Sequence, residues 1–106
     1  MKVDNLENMI GGWFVGAFSP SVFSTDTCEV AVKTYKEGAY EQAHFHKIAT
    51  EITVIIEGKV RMLDRTFSKG DIIILNPGEV TDFTALTDAV NVVVKLPGAL
   101  NDKYII

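Results

Sequence analysis

Both histidines of this 106-residue chain, His44 and His46, fall within three consecutive positions, and Glu51 follows five positions later. On a β-strand, residues i and i+2 project to the same face, so the two imidazoles are expected to point the same way. Imidazole can bind a metal ion and can also transfer protons near neutral pH. The His-x-His pattern alone does not decide between these roles, because it is equally typical of a surface pair or of a hydrogen-bonded buried pair.

Glu51 strengthens the metal interpretation if the chain changes direction before it. An unbroken strand would place Glu51 on the face opposite His46, because an odd number of positions separates the two. We therefore expect a bend or a bulge within residues 47–50. Two imidazoles and one carboxylate that converge form a ligand set used for iron(II), and zinc, manganese and nickel also accept it.

Short runs rich in Val, Ile, Thr and aromatic residues recur along the chain and predict β-strands. These runs cover residues 13–18, 28–35, 51–58, 59–64, 71–77 and 88–97. Prolines and glycines separate them, as expected of turns. Eight to ten short strands in one domain are typical of a sandwich or a barrel. The sequence therefore predicts an all-β domain whose helix is limited to one turn near residues 6–10.

Three segments carry more specific expectations. Residues 71–75 read DIIIL, and such an apolar run is typical of a strand covered on both faces. Residues 60–67 alternate imperfectly, as a strand with one solvent-exposed face does. Residues 101–106 end in an apolar stretch, so we expect them to pair with a sheet edge of the same chain or of a partner subunit.

Composition limits the classes of function. The chain is 47% hydrophobic, which fits one globular domain over residues 1–106. A net charge of −4 with scattered basic residues argues against nucleic acid as a partner. No apolar run approaches the ~20 residues that a membrane-spanning helix needs. A single cysteine, Cys28, and an acidic N-terminal segment in place of a positively charged signal sequence favour a cytoplasmic location.

The spacing around the histidines resembles the first motif of the cupin family. Residues 38–58 contain every position of that motif: a glycine at each end, His44, His46 and Glu51. Residues 70–83 resemble the second motif. The resemblance implies an all-β, cupin-like antiparallel jelly-roll β-barrel, often dimeric, that binds its ligands inside the mouth of the barrel.

The second motif departs from the family pattern. Asn76 replaces its first proline, and Thr81 stands where the family supplies a further histidine ligand. The metal site is therefore expected to consist of at most His44, His46 and Glu51, with Fe, Mn, Ni or Zn as the bound ion. We expect Thr81 to face the two histidines across the barrel, so that the neighbouring Asp82 points away.

For several other side chains, the sequence predicts a location but no chemical role. Besides Thr81, the residues that could line the barrel interior are Tyr35, Tyr40, Met62, Phe83 and Val94. Those expected to belong to the core or to a dimer contact are Trp13, Phe14 and Phe18. Those expected to be exposed, although able to meet an anionic substrate if they face inward, are Lys33 and Arg61.

Three functions fit these residues. The first is a small cupin that binds a divalent metal and a small polar ligand, with isomerase, lyase or oxygenase chemistry. The second is a metal-independent isomerase or epimerase, similar to the cupins that act on nucleotide sugars, in which His44 and His46 are the acid and the base. The third is a non-catalytic ligand-binding or sensory cupin. Apolar residues 13–18 and 104–106 predict a homodimer, because pairing would cover these edges.

Overall fold

The computed structural model describes all 106 residues, which form ten strands and one short 3-10 turn, Leu6–Asn8. The strands are β1 (Trp13–Val15), β2 (Glu29–Tyr35), β3 (Tyr40–Phe45), β4 (Thr50–Glu57), β5 (Lys59–Met62), β6 (Arg65–Ser68), β7 (Ile72–Leu75), β8 (Thr81–Ala85), β9 (Ala89–Leu96) and β10 (Tyr104–Ile105). The predicted strand number and the helical turn are confirmed. No helix is long and apolar enough to cross a bilayer.

The strands form two five-stranded antiparallel sheets. The first sheet has the order β1-β2-β9-β4-β7, and the second has the order β10-β3-β8-β5-β6. The chain crosses repeatedly between the sheets, as in a jelly roll, so the predicted barrel is confirmed. Neighbouring residues in sequence can therefore belong to opposite walls of the barrel: β3 lies in the second sheet and β4 lies in the first.

A small apolar core fills the barrel near the turn between β4 and β5. Its buried members are Ile55, Val60, Met62, Phe83, Ala85 and Ala89. Gly58 makes this turn with φ +86°, and a Cβ at that position would lie 2.1 Å from the carbonyl oxygen of Asp88. Only glycine fits there without displacing the backbone. The core does not fill the whole barrel: a cavity remains beside it, and Met62 and Phe83 belong both to the core and to the lining of this cavity.

Two expectations for individual strands are wrong. Residues 60–67 do not form one strand but a hairpin of β5 and β6. Leu63 makes the turn of this hairpin with φ 55°. Strand β7 is not covered on both faces, since Ile72 is 65% exposed and Ile74 is 55% exposed. The continuous apolar run of β7 wrongly predicted that both of its faces are buried. This strand lies at the edge of the first sheet, and nothing in this chain packs on its outer face.

The outer side of the first sheet carries an apolar surface that extends over four strands. Alternation along β2, β9, β4 and β7 turns every second residue outward. Strand register aligns these residues in two rows, which together we call the outer apolar face: Val32, Val92, Val54 and Ile72 in one row, and Val30, Val94, Ile52 and Ile74 in the other. The residues between them face the barrel interior.

Candidate functional site

A cavity of about 180 Å³ lies between the two sheets. It is lined by seven of the nine residues that the sequence assigned to the site or to the barrel interior: His44, His46, Glu51, Thr81, Tyr35, Met62 and Phe83. Two further candidates do not line it. Tyr40 is exposed, and Val94 belongs to the outer apolar face. The structure thus brings the predicted site residues together, although their chemical roles remain predictions.

His44 and His46 are buried at the end of β3, with ring centroids 5.4 Å apart and an interplanar angle of 80°. The Nδ1 atom of His44 lies 2.8 Å from the backbone carbonyl oxygen of Gln42. Because a carbonyl oxygen only accepts hydrogen bonds, Nδ1 carries the hydrogen and Nε2 keeps its lone pair. This tautomer suits a metal ligand or a general base.

His46 is neutral at physiological pH. Burial lowers its pKa, the positive charge of Lys95 and the nearby His44 lower it further, and the resulting pKa is about 4. The backbone carbonyl of His46 accepts a hydrogen bond of 2.7 Å from the N–H of Gly78. This bond ties the second motif directly to the first, close to the histidines.

The expected bend between the histidines and Glu51 is present, and a residue far away in the sequence stabilises it. The carboxylate of Asp102 accepts hydrogen bonds from three consecutive backbone N–H groups: Lys47 at 3.0 Å, Ile48 at 3.0 Å and Ala49 at 2.9 Å. The chain then enters β4 in the opposite sheet. Glu51 consequently reaches the cavity from the wall opposite His44.

Glu51 supplies the third donor of the predicted metal set. Burial raises the pKa of its carboxyl, while the charges of Lys95 and His44 oppose this increase. Two imidazoles and a carboxylate fit a borderline divalent ion by donor type. In the structure, however, no three His, Cys, Asp or Glu side chains lie close enough together to share one ion. Ligation by this set therefore stays a prediction.

Thr81 lines the cavity, but the expected position across the barrel is wrong. It pairs directly with His44, because β8 and β3 are neighbours in the second sheet. Its hydroxyl donates a 2.7 Å hydrogen bond to the carbonyl oxygen of Asp82. Asp82 points away, as expected, and its carboxylate accepts a hydrogen bond from the N–H of Leu63.

Sequence reasoning missed Glu41, which also lines the cavity. An unbroken strand would turn Glu41 away from His44, but a bulge between these residues shifts the register and turns both inward. The hydroxyl of Tyr35 donates to Glu41 at 2.9 Å, and the Lys103 ammonium lies 3.9 Å from the same carboxylate. Burial, followed by the charge of Glu41, raises the pKa of Tyr35.

Three other cavity residues depart from expectation. Lys33 was expected to be exposed but faces inward, because it lies on the same side of β2 as Ala31 and Tyr35. Trp13 was assigned to the core or a dimer contact, yet it lines the cavity. The centre of the Trp13 ring is 5.9 Å from the Lys33 ammonium and 4.9 Å from the Lys95 ammonium. The sequence did not suggest Lys95 as a cavity residue. Arg61 is exposed, as expected.

The structure resembles solved double-stranded β-helix proteins. No family model matches the sequence, and no curated protein does so. An uncharacterized conserved protein with a double-stranded β-helix domain from Klebsiella pneumoniae superposes with a TM-score of 0.69 at 22% identity, over 76% of this chain and 71% of that one. A sugar phosphate isomerase from a cupin superfamily, from Silicibacter pomeroyi, gives a TM-score of 0.62 at 20% identity, over 66% of this chain and 50% of that one.

The chain has the cupin fold. An oxalate oxidase in complex with the substrate analogue glycolate also superposes on this chain, with a TM-score of 0.65 at 18% identity, over 76% of this chain and 46% of that one. One of these three proteins is uncharacterized and the other two are an isomerase and an oxidase, so the likeness concerns the barrel and leaves the reaction open.

Proposed function

We propose that this cupin binds a small polar molecule in its cavity, next to a divalent transition ion held by His44, His46 and Glu51. The observation that carries the proposal is the burial of two imidazoles and one carboxylate, from opposite walls of the barrel, around a single cavity. A bound ion would act as a Lewis acid on a carbonyl or hydroxyl group. Isomerase, lyase or oxygenase chemistry is compatible with such a site.

The size of the cavity supports a small ligand. Its volume of about 180 Å³ lies below the ~300–1,000 Å³ typical of pockets for drug-sized molecules. The oxalate oxidase that this cupin resembles was solved with glycolate, a molecule of only a few heavy atoms. We therefore expect a compact metabolite and not a polymer or a nucleotide.

The chain's own residues can orient such a ligand and move its protons. The free Nε2 of His44 can accept a proton, and the neutral His46 lies at ring-to-ring contact distance from it. On another side of the cavity, Tyr35 and Lys103 both bind Glu41 and hold this carboxylate in place. The Tyr35 hydroxyl is therefore committed to a hydrogen bond and is not a free acid.

Calorimetric titration of the purified protein with zinc, nickel, manganese and iron(II) tests the metal. We expect one ion per chain, and His44→Ala or Glu51→Gln should abolish binding by removing a ligand. Glu57→Gln is the matched control, because Glu57 is an exposed carboxylate on the same strand as Glu51. If none of the four ions binds, or if His44→Ala binds as the parent does, the metal proposal is wrong.

The metal-independent alternative rests on the tautomer of His44. An unprotonated Nε2 beside a second neutral imidazole is also the arrangement of an acid–base pair. Failure of all four metals to bind, together with loss of turnover in His44→Ala, would favour this isomerase or epimerase reading. Retained ligand binding without turnover would favour a non-catalytic cupin.

We also propose a homodimer and a cytoplasmic location. The outer apolar face offers a surface for pairing in addition to the two edges suggested by the sequence. Of these edges, β10 is already paired with β3 in the same chain. The cytoplasmic location is supported by a single cysteine, Cys28, which is free.

A further inference from the structure

Two lysines in the cavity form no ion pair. The ion pairs of the chain join Lys36 to Asp88 and Lys103 to Glu41. Neither Lys33 nor Lys95 forms one, although both line the cavity. Partly buried ammonium groups are normally paired with an opposite charge. Positive charge that no ion pair neutralises therefore remains in the cavity, on both lysines that contact Trp13, and the carboxylate of Glu51 offsets it only from a distance.

An unpaired acceptor lies on the same wall. Asn91 is only 2% exposed, it lines the cavity, and its Oδ1 atom has no hydrogen-bond partner. Asn91 on β9 is directly opposite Lys33 on β2, so their side chains project side by side. A buried acceptor without a partner is uncommon in folded proteins, so we expect a donor from outside the chain, a water molecule or a ligand group, to bind there.

We propose that Lys33, Lys95 and Asn91 form a subsite for a small hydroxycarboxylate. The ammonium groups bind the carboxylate, the Oδ1 atom of Asn91 accepts a hydrogen bond from the hydroxyl group, and the indole of Trp13 covers the ligand. The inference rests on the proposed function insofar as the cavity must be the ligand site, but it requires no metal.

The surroundings favour a carboxylate over a phosphate. The cavity contains no arginine and no helix N-terminus, which are the groups most suited to binding a phosphate through several hydrogen bonds. Strand register also places Glu51 directly opposite Lys95. A singly charged anion is repelled less by this carboxylate than a doubly charged one is.

The fluorescence of Trp13 reports binding specifically, because the chain contains no other tryptophan. Protein freed of metal on a chelating resin is titrated with lactate, with propionate, which lacks only the hydroxyl group, and with inorganic phosphate. We expect a saturable change with lactate and binding about tenfold weaker with propionate, the effect of one hydrogen bond in a buried site. No saturable change with lactate, or tighter binding of phosphate, would overturn the proposal.

Single substitutions test whether Lys33, Lys95 and Asn91 each contribute to lactate binding. Lys33→Met and Lys95→Met should each weaken lactate binding about tenfold or more, while the exposed control Lys36→Met should leave it unchanged. Asn91→Leu should remove the preference for lactate over propionate and raise the thermal midpoint by about 4 °C, since it deletes an unpaired buried acceptor. Equal weakening by the control, or a preference that persists in Asn91→Leu, contradicts the assignment.

The test separates the subsite from the metal proposal. Lys33→Met removes no proposed metal ligand, so calorimetric metal binding should persist in this variant while lactate binding weakens. If the parent binds lactate but no metal, the subsite stands and the metal proposal fails. If it binds metal but shows no response to lactate, the subsite fails alone.

Discussion

Thr81 and His44 are direct neighbours on adjacent strands, and both side chains reach the cavity. The Thr81 hydroxyl already donates its hydrogen to the carbonyl oxygen of Asp82. A threonine hydroxyl is also a poor ligand for a borderline metal ion. At this single position, replacing one side chain therefore tests whether an ion binds beside the histidines.

Thr81→His should tighten metal binding, because it adds an imidazole next to His44, whereas Thr81→Ala should change affinity by no more than about 10–100-fold. Calorimetric titration with zinc measures both variants. Circular dichroism should show that each retains the parent's β-structure. If Thr81→His folds normally but binds zinc no better than the parent, the ion does not bind beside Thr81.

The residue pattern predicted three of the side chains that line the cavity but not the charges around them. His44, His46 and Glu51 could be identified because their spacing is specific and because each is chemically distinctive. Glu41 could not be identified, because a bulge between it and His44 turns its side chain to the opposite face of β3. No residue type in this segment signals a bulge. Lys33 could have been placed by strand alternation with Tyr35, had alternation been given more weight than the general exposure of lysine.

At the scale of elements, the bend at residues 47–49 depends on Asp102, which lies just before β10. The three backbone N–H groups of the bend have no strand partner and bond the buried Asp102 carboxylate instead. Burial raises the pKa of this carboxyl, but the three hydrogen bonds lower it by more, so the pKa lies below its usual value.

Asp102→Asn should destabilise the fold by about 2 kcal/mol at neutral pH, because an amide cannot accept all three hydrogen bonds as a carboxylate does. Because the pKa of Asp102 is lower in the folded state than the unfolded pKa of 3.8, its carboxylate stabilises the fold at every pH above 3.8. This contribution is lost as the pH falls through the folded-state pKa. The difference in unfolding free energy between variant and parent should therefore be constant from pH 7 to pH 5 and shrink below about 3.8.

Urea denaturation at several pH values measures this difference. Asp64→Asn is the matched control, since Asp64 is exposed in the turn between β5 and β6, and it should change stability little at any pH. A destabilisation by Asp102→Asn that does not vary below pH 3.8 would show that the charge of the carboxylate is not what holds the bend.

The sequence predicted where most strands lie, but it did not predict which of their faces are covered by the rest of the chain. The strands over residues 28–35, 51–58 and 88–97 were identified correctly because β-branched residues dominate them. The hairpin of β5 and β6 was missed because Leu63, a residue that rarely adopts positive φ, makes its turn. The exposure of β7 could not be predicted, since an apolar run does not say whether the covering surface belongs to the same chain.

At the scale of the whole molecule, the outer apolar face is uncovered at β7, where Ile72 and Ile74 are exposed, while its other six residues are partly buried. Its eight residues are all Val or Ile, and no charge interrupts the two rows. Monomers rarely expose a contiguous apolar patch of more than a few hundred Å². A second copy of the chain presents the same flat surface, so two sheets can stack about 10 Å apart around a twofold axis.

Ile72→Lys combined with Ile74→Lys should shift the protein from dimer to monomer, with a dissociation constant raised at least about a hundredfold, because pairing would bury unpaired charges. Both positions are exposed in the single chain, so folding should tolerate them. Sedimentation velocity measures the change. Ile48→Lys is the control, because Ile48 is 57% exposed but lies outside this face. A monomeric parent at micromolar concentration would contradict the dimer.

The order of strands in the first sheet also determines how the chain must fold. Its central strand, β9, pairs on one side with β2 and on the other with β4, so that Lys95 lies opposite both Glu29 and Glu51. Such pairings join residues far apart in the sequence, and the entropy of closing long loops must be lost before these contacts form. We therefore expect high contact order and folding in milliseconds to seconds. The first-sheet wall of the cavity is complete only when β9 joins β2 to β4, so partly folded chains should not bind the ligand.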